Sequence, residues 1–160
     1  MLAGKHILLG VTGGIAAYKT TFLVRLLVRR GAKVKVIMTS SAKDFVSPLT
    51  LSTLSQHPVY LDFVDELEGT LQWNNHVELA KWADLFLIAP LTSNTLAKMV
   101  SGACDNLLLA TYMSSSCKVF VAPAMDLDMY AHPATHKNLS VLRSRGVEVI
   151  PATSGFLASG

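Results

Sequence analysis

The sequence predicts an α/β domain built on a doubly wound parallel sheet. Short apolar runs rich in Val, Ile and Leu recur along the 160 residues, and stretches with apolar residues at helical spacing separate them. The turns that follow these runs concentrate Gly, Ser, Thr and Asn, at the edge where open α/β sheets bind ligands. With 51% hydrophobic and only 16% charged residues, the chain suits a strand-rich interior and a buried oligomer interface. Its length fits one domain with a proper core.

Lys5 to Val11 reads as the first strand, and Ile15 to Arg30 as a helix carrying Phe22, Leu23, Leu26 and Leu27 at helical spacing. Gly31 stops it, and Lys33 to Met38 is the second strand. Helices are expected over 41–45 and 48–55. Residues 57–75 read as irregular, punctuated by Pro58 and Gly69. A helix over 76–82, a strand over 85–89, a helix over 94–101 and an apolar segment over 107–112 follow. Lys118 to Ala122 is a further strand, 133–145 a helix, and Val147 to Ile150 the last strand.

Composition excludes several classes. No apolar run reaches the roughly 18–20 residues that span a bilayer, and the N-terminus lacks a signal-peptide layout. Cys104 and Cys117 have neither metal-like nor disulfide-framework spacing, so no metal site is expected and the cytoplasm is the expected compartment. The net charge is +3. The basic group Arg25, Arg29, Arg30, Lys33 and Lys35 reads as a solvated helix end rather than a nucleic-acid patch.

Four strand ends carry the candidate chemistry. The first turn, Gly10-Val-Thr-Gly13-Gly14-Ile15-Ala16, has glycines that bring backbone N–H groups close to an anion, but it is not the G-x-G-x-x-G fingerprint. After the second strand stand Thr39, Ser40 and Ser41, where an NAD domain would place a carboxylate. That absence points to a mononucleotide whose phosphate lies among hydroxyl and N–H groups. After the strand 85–89 come Thr92, Ser93, Asn94 and Thr95, suited to a phosphate or to simple helix capping. The fourth end reads Pro123-Ala124-Met125-Asp126, with Met129 beyond it. Asp126 also fits a turn or a helix cap. Of five histidines, His76 stands out. Asn75 and Glu78 form an Asn-x-x-Glu capping pattern that sets His76 at the first helical position. The positive helix end there favours a neutral ring able to accept a proton. The plain alternative is a surface histidine.

Together, Val11 to Lys19, Asn75-His76 with Leu79, Ala89 to Lys98, Asp105-Asn-Leu-Leu108 and Pro123-Ala-Met-x-x-x-Met129 resemble the flavin-dependent cysteine decarboxylases. The nearest group is phosphopantothenoylcysteine decarboxylase, including the N-terminal half of the bifunctional coenzyme A biosynthesis protein. The resemblance covers nearly the whole chain. It implies a flavodoxin-like (Rossmann-like) three-layer sandwich, non-covalent flavin mononucleotide (FMN), and a homotrimer or homododecamer with active sites between subunits. It further implies a phosphopantothenate–cysteine ligase, fused or separate, as partner.

By position, Gly13, Gly14, Ile15, Thr39, Ser41, Thr92, Ser93, Asn94, Thr95 and Ala124 match the family's flavin contacts. His76 matches its active-site histidine, and Asp126 and Met129 stand at substrate-binding positions. The implied reaction oxidises the substrate's cysteine thiol to a thioaldehyde. Carbon dioxide then leaves, and hydride returns to give 4′-phosphopantetheine.

Two residues depart from the pattern. Asp126 replaces an asparagine that binds the substrate carboxylate. It is expected to be protonated, turned onto backbone N–H groups, or a destabiliser of the leaving carboxylate. Ser159 replaces the family's proton-donating cysteine in a flap, Leu157-Ala-Ser-Gly160. A hydroxyl is a far weaker acid than a thiol of pKa roughly 8.5. The chain then reads as a single flavoprotein domain, 1–160, cut within that flap. Other readings are a peptidyl-cysteine decarboxylase, which Ser159 favours, a flavin prenyltransferase, and a non-catalytic flavin-binding subunit.

Overall fold

The computed structural model describes residues 1–153. Six parallel strands form the central sheet: β1 (His6–Val11), β2 (Lys33–Met38), β3 (Val59–Tyr60), β6 (Leu85–Leu91), β7 (Lys118–Pro123) and β8 (Glu148–Val149). Their order is β3-β2-β1-β6-β7-β8, so the winding reverses between β1 and β6. The register is in step on both sides of β1, with Leu9 opposite Val36 and Leu87.

Strand residues alternate between two apolar layers, as the two-residue period of a pleated strand requires. Ile7, Leu9, Val11, Val34, Val36 and Met38 pack with Ala17, Val24 and Leu51, from the side of α1 (Thr20–Arg29) and α2 (Pro48–Ser55). Leu8, Ile37, Phe86, Ile88, Val119 and Val121 pack against the other layer. That layer comprises α3 (His76–Trp82), α4 (Ser93–Ser101), α5 (Leu107–Met113) and α7 (Pro133–Ser144). Gly10 makes room for α5, since a Cβ there would stand 2.9 Å from Leu108 Cδ1. The expected doubly wound sheet and three-layer sandwich are both present.

Several elements differ from expectation. Residues 15–30 do not form one helix: Ile15–Lys19 is a 3-10 turn that precedes α1. The Thr20 and Thr21 hydroxyls donate to the carbonyls of Ala17 and Tyr18, local bonds that compete with regular helix geometry. On α1, Phe22 and Leu26 face solvent rather than the core. The expected helix at 41–45 is a 3-10 turn, Ser40–Asp44. The segment 57–75 is ordered: after β3 it forms an antiparallel hairpin of β4 (Val64–Leu67) and β5 (Thr70–Trp73). Glu68 and Gly69 both have positive φ, 51° and 77°, as a two-residue type I′ turn requires. An exposed outward face bearing Val64, Leu71 and Trp73 hid the hairpin from a buried-or-polar pattern.

A short helix, α6 (Leu127–Ala131), follows β7, and β6 runs past the cis Ala89–Pro90 peptide to Leu91. Of the basic group, Lys35 is only half-exposed, with Nζ 4.5 Å from the centre of the Trp82 ring. Burial lowers its pKa from the ordinary value. Trp82 also stacks on His6 at 4.5 Å. Among the described residues no helix is long and apolar enough to cross a membrane.

Candidate active site

The reversal between β1 and β6 opens a crevice at the carboxyl edge of the sheet, where ligands bind in open α/β folds. Two turns flank it. After β1, Gly13 lies so close to Ser41 that an added Cβ would stand 2.5 Å from Ser41 Cβ and nearer still to Oγ. The glycine is therefore required for this close approach. Ser41 Oγ also lies 3.4 Å from Thr39 Oγ1, joining the hydroxyls beyond β2 to the same corner. Gly14 faces the second turn, where a Cβ would meet Thr92 Cγ2 at 3.6 Å.

That second turn leads from β6 into α4. Thr92 is its N-cap, with Oγ1 accepting from Thr95 N at 3.2 Å. The capping reading therefore holds for Thr92, and Thr95 is buried beside it. Ser93 and Asn94 occupy the first two helical positions, whose N–H groups have no intrahelical partner. Their side chains form no hydrogen bond among the described residues. The first turn of α4 thus offers two N–H groups, a hydroxyl and a carboxamide, with the positive helix end behind them.

Thr12 fixes the two turns to each other. Its buried hydroxyl donates to Pro90 O at 2.5 Å and accepts from Thr92 N at 3.0 Å. Its role is therefore scaffolding, with both bonding capacities of the hydroxyl spent on the chain itself. Ile15 is exposed at the start of the 3-10 turn. Ala124 donates its N–H to Leu91 O, leaving its carbonyl and methyl for a ligand. Beside it lies a cavity of about 210 Å³ lined by Ala16, Lys19, Leu23, Ala89, Pro123 and Ala124. Lys19 escaped sequence reasoning, because a lysine at a helix start carries no signal of its own.

Asp126 caps α6, and its carboxylate accepts from Met129 N at 2.9 Å. This is the geometry of a side chain turned onto backbone N–H. The Met129 carbonyl accepts from Thr135 Oγ1, which ties α6 to α7. Ser159 lies outside the described residues.

His76 begins α3, as the capping pattern predicted. Asn75 Oδ1 accepts from Val77 N at 3.0 Å and Glu78 N at 3.3 Å. The reciprocal bond from Asn75 N to the Glu78 carboxylate is not formed among the described residues. The imidazole stands perpendicular to the Phe63 ring, with ring centres 6.2 Å apart at 87°, and its Nδ1 is buried without a partner among the described residues. No hydrogen bond or ring contact among the described residues joins it to the glycine turn or to Thr92–Thr95. His6 and His132 are structural: the first stacks on Trp82, and the second accepts from Ala134 N to cap α7. Among the described residues no cluster of His, Cys, Asp or Glu is arranged for a metal.

A family model described as Flavoprotein matches residues 1–158. The chain is similar to the coenzyme A biosynthesis bifunctional protein CoaBC of Bacillus subtilis (strain 168), 45% identical over 160 residues. That match covers 100% of this chain and 39% of the relative, so the chain spans well under half of that protein. A cysteine/cysteine sulfinic acid decarboxylase from an unknown prokaryotic organism is 55% identical over 115 residues, covering 72% of this chain and 32% of the relative. Among solved structures, a mutant PPC decarboxylase complexed with pantothenoylaminoethenethiol superposes with a TM-score of 0.83 at 36% identity. The match covers 98% of this chain and 87% of that one. The FMN-dependent cysteine decarboxylase SpaF gives 0.84 at 30% identity, covering 94% of this chain and 85% of that one.

Proposed function

The chain belongs to the Flavoprotein family, and on that premise we propose that it is an FMN-dependent carboxy-lyase that converts 4′-phosphopantothenoylcysteine to 4′-phosphopantetheine in coenzyme A biosynthesis. The observation that carries the reading is the crevice at the sheet's reversal, where the Gly13–Gly14 turn faces the first turn of α4. Its donors fit the phosphate of a mononucleotide: the Ser93 and Asn94 N–H groups, the Ser93 hydroxyl and the Asn94 carboxamide, with the Thr39 and Ser41 hydroxyls at the adjoining corner. No carboxylate follows β2 to take the ribose of a dinucleotide.

The chemistry that FMN brings when bound is two-electron transfer at the cysteine carbon bearing sulfur. The chain's own residues place and protonate. Gly13, Gly14, Ile15 and Ala124 present backbone and small apolar surface to the cofactor. With Nδ1 buried, His76 has Nε2 as the ring nitrogen that exchanges a proton with substrate. The cavity beside Ala124, where Lys19 supplies a positive charge, adjoins the cofactor's place, and Met129 contacts the substrate. Asp126, engaged by Met129 N–H, stands aside from the substrate carboxylate.

Within one chain, no hydrogen bond or ring contact among the described residues joins His76 to the flavin cradle, and this supports an active site completed between subunits of a homotrimer or homododecamer. Exposed apolar surface on α1 (Phe22, Leu26) and on the hairpin (Val64, Leu71, Trp73) supports such burial. The bifunctional relatives support a fused or separate phosphopantothenate–cysteine ligase as partner, and a cytoplasmic setting. A second reading, decarboxylation of cysteine-ended peptides, is favoured by Ser159 in place of the family's cysteine.

Product analysis distinguishes the two. FMN-loaded protein is incubated with 4′-phosphopantothenoylcysteine or with a cysteine-ended peptide, and products are identified by mass. The reading expects 4′-phosphopantetheine from the first and no mass loss from the second. Carbon dioxide loss from the peptide alone overturns it.

A further inference from the structure

We propose that Asp65 is a positioning residue for His76, holding through Asn74 and Phe63 the segment on which that imidazole stands. This rests on the reading of His76 as the proton-transfer group. The Asp65 carboxylate accepts from Leu61 N at 3.2 Å, Asp62 N at 3.0 Å and Asn74 Nδ2 at 2.6 Å. Asn74 Nδ2 also donates to Asp62 O at 2.7 Å, and Asn74 N donates to Phe63 O at 2.8 Å. Asn74 is buried, 5% exposed. These bonds tie together the two feet of the β4–β5 hairpin, the turn at 61–65 on one side and Asn74 on the other.

The hairpin cannot anchor itself by apolar packing alone, because the Val64, Leu71 and Trp73 side chains face outward. Its shape at the foot depends on this polar clamp. Charge-assisted bonds from several N–H groups to one carboxylate are well suited to that task.

Both supports of His76 issue from the clamped segment. Asn75, the residue after Asn74, caps α3 and fixes where the helix starts. Phe63, between Asp62 and Val64, supplies the perpendicular ring against the imidazole. His76 Nδ1 has no hydrogen-bond partner, so among the described residues no polar bond sets the ring's angle. Its placement depends on backbone position and on the Phe63 contact. Both change if the carboxylate no longer gathers its three donors. A displacement of about 1 Å in a catalytic group costs on the order of 100-fold in rate.

The test compares Asp65→Asn, Phe63→Leu, His76→Asn and the Asp65→Asn/His76→Asn double variant as FMN-loaded protein. The expected result for Asp65→Asn is a kcat at least about tenfold lower, with KM and FMN affinity within about twofold. In 15N-histidine spectra, the His76 ring signals move while those of His6 and His132 stay. In the double variant, Asp65→Asn lowers the residual rate no further. If Asp65→Asn does not fold, Phe63→Leu carries the test and lowers kcat with KM unchanged.

The proposal is overturned if folded Asp65→Asn keeps wild-type kcat and His76 signals. It is equally overturned if its loss multiplies with that of His76→Asn, or if Phe63→Leu leaves kcat unchanged. Failure of the underlying reading looks different: His76→Asn itself then retains wild-type turnover. The ring spectra of Asp65→Asn still decide whether Asp65 positions the imidazole.

Discussion

Replacing Gly13 with alanine tests the cradle at its tightest point. The new Cβ would stand 2.5 Å from Ser41 Cβ and 3.0 Å from the Ser41 carbonyl carbon. Rotating the Ser41 hydroxyl relieves neither contact, so the chain at 39–41 must shift. Overpacking of this kind costs about 1–3 kcal/mol. At about 2–4 °C per kcal/mol for a domain of this size, a cost of about 2 kcal/mol lowers Tm by about 4–8 °C. The same shift carries the Thr39 and Ser41 hydroxyls away from the crevice, and a loss of about 1.4 kcal/mol there weakens FMN binding about tenfold. Gly14→Ala is the control. Its Cβ would meet only Thr92 Cγ2, at 3.6 Å, and the backbone there is extended, with φ of −132°. Its expected effect on stability is within about 0.5 kcal/mol. Thermal unfolding of flavin-free protein and fluorescence titration with FMN measure both quantities. Ser41→Gly in the Gly13→Ala background removes the Cβ contact and restores part of the loss. Equal Tm for flavin-free Gly13→Ala and Gly14→Ala, or wild-type FMN affinity in Gly13→Ala, would refute the reasoning.

Thr12→Val keeps the shape of the side chain but strips Pro90 O and Thr92 N of their shared partner. Leaving buried backbone groups unsatisfied costs about 1–3 kcal/mol, read from urea unfolding, and FMN binding weakens with it. Asp126→Asn preserves the cap on Met129 N, because Asn and Asp are equivalent N-caps to within about 0.5 kcal/mol. Stability, KM and kcat therefore stay near wild type, and a large fall in KM would show that the carboxylate does face the substrate. Cys104 is exposed, whereas burial raises the Cys117 pKa above the ordinary thiol value. Since the thiolate is the nucleophile, maleimide labels Cys104 first. The Cys117 rate is still climbing as pH passes the ordinary thiol range, and mass spectrometry of the labelled peptides reads both rates.

The fold was legible because both faces of the sheet are buried, which leaves continuous apolar strands such as Leu85 to Ala89. His76 at the first position of α3 was legible for a local reason, since an N-cap is written in neighbouring residues. The hairpin was not. Its strands are short and its outward face is apolar, while its turn, Glu68-Gly69, lacks the Asn-Gly or Asp-Gly signal. With the hairpin hidden, the Asp65–Asn74 clamp was hidden too, because it joins residues that only the turn brings together. Thr12 and Thr92 show a second limit. Residue type places a hydroxyl at a strand edge, but only geometry separates one that binds the chain itself from one free for a ligand. Phe22 and Leu26 have helical spacing indistinguishable from that of core residues, yet they lie outside.

The most direct test of the account is the rate at which FMN-loaded protein releases carbon dioxide from carboxyl-labelled 4′-phosphopantothenoylcysteine. The account predicts steady release that falls by at least about 100-fold in His76→Asn while FMN remains bound, the range expected for loss of a proton-transfer group. Absence of release from the flavin-loaded wild-type protein, or equal release from His76→Asn, would contradict it.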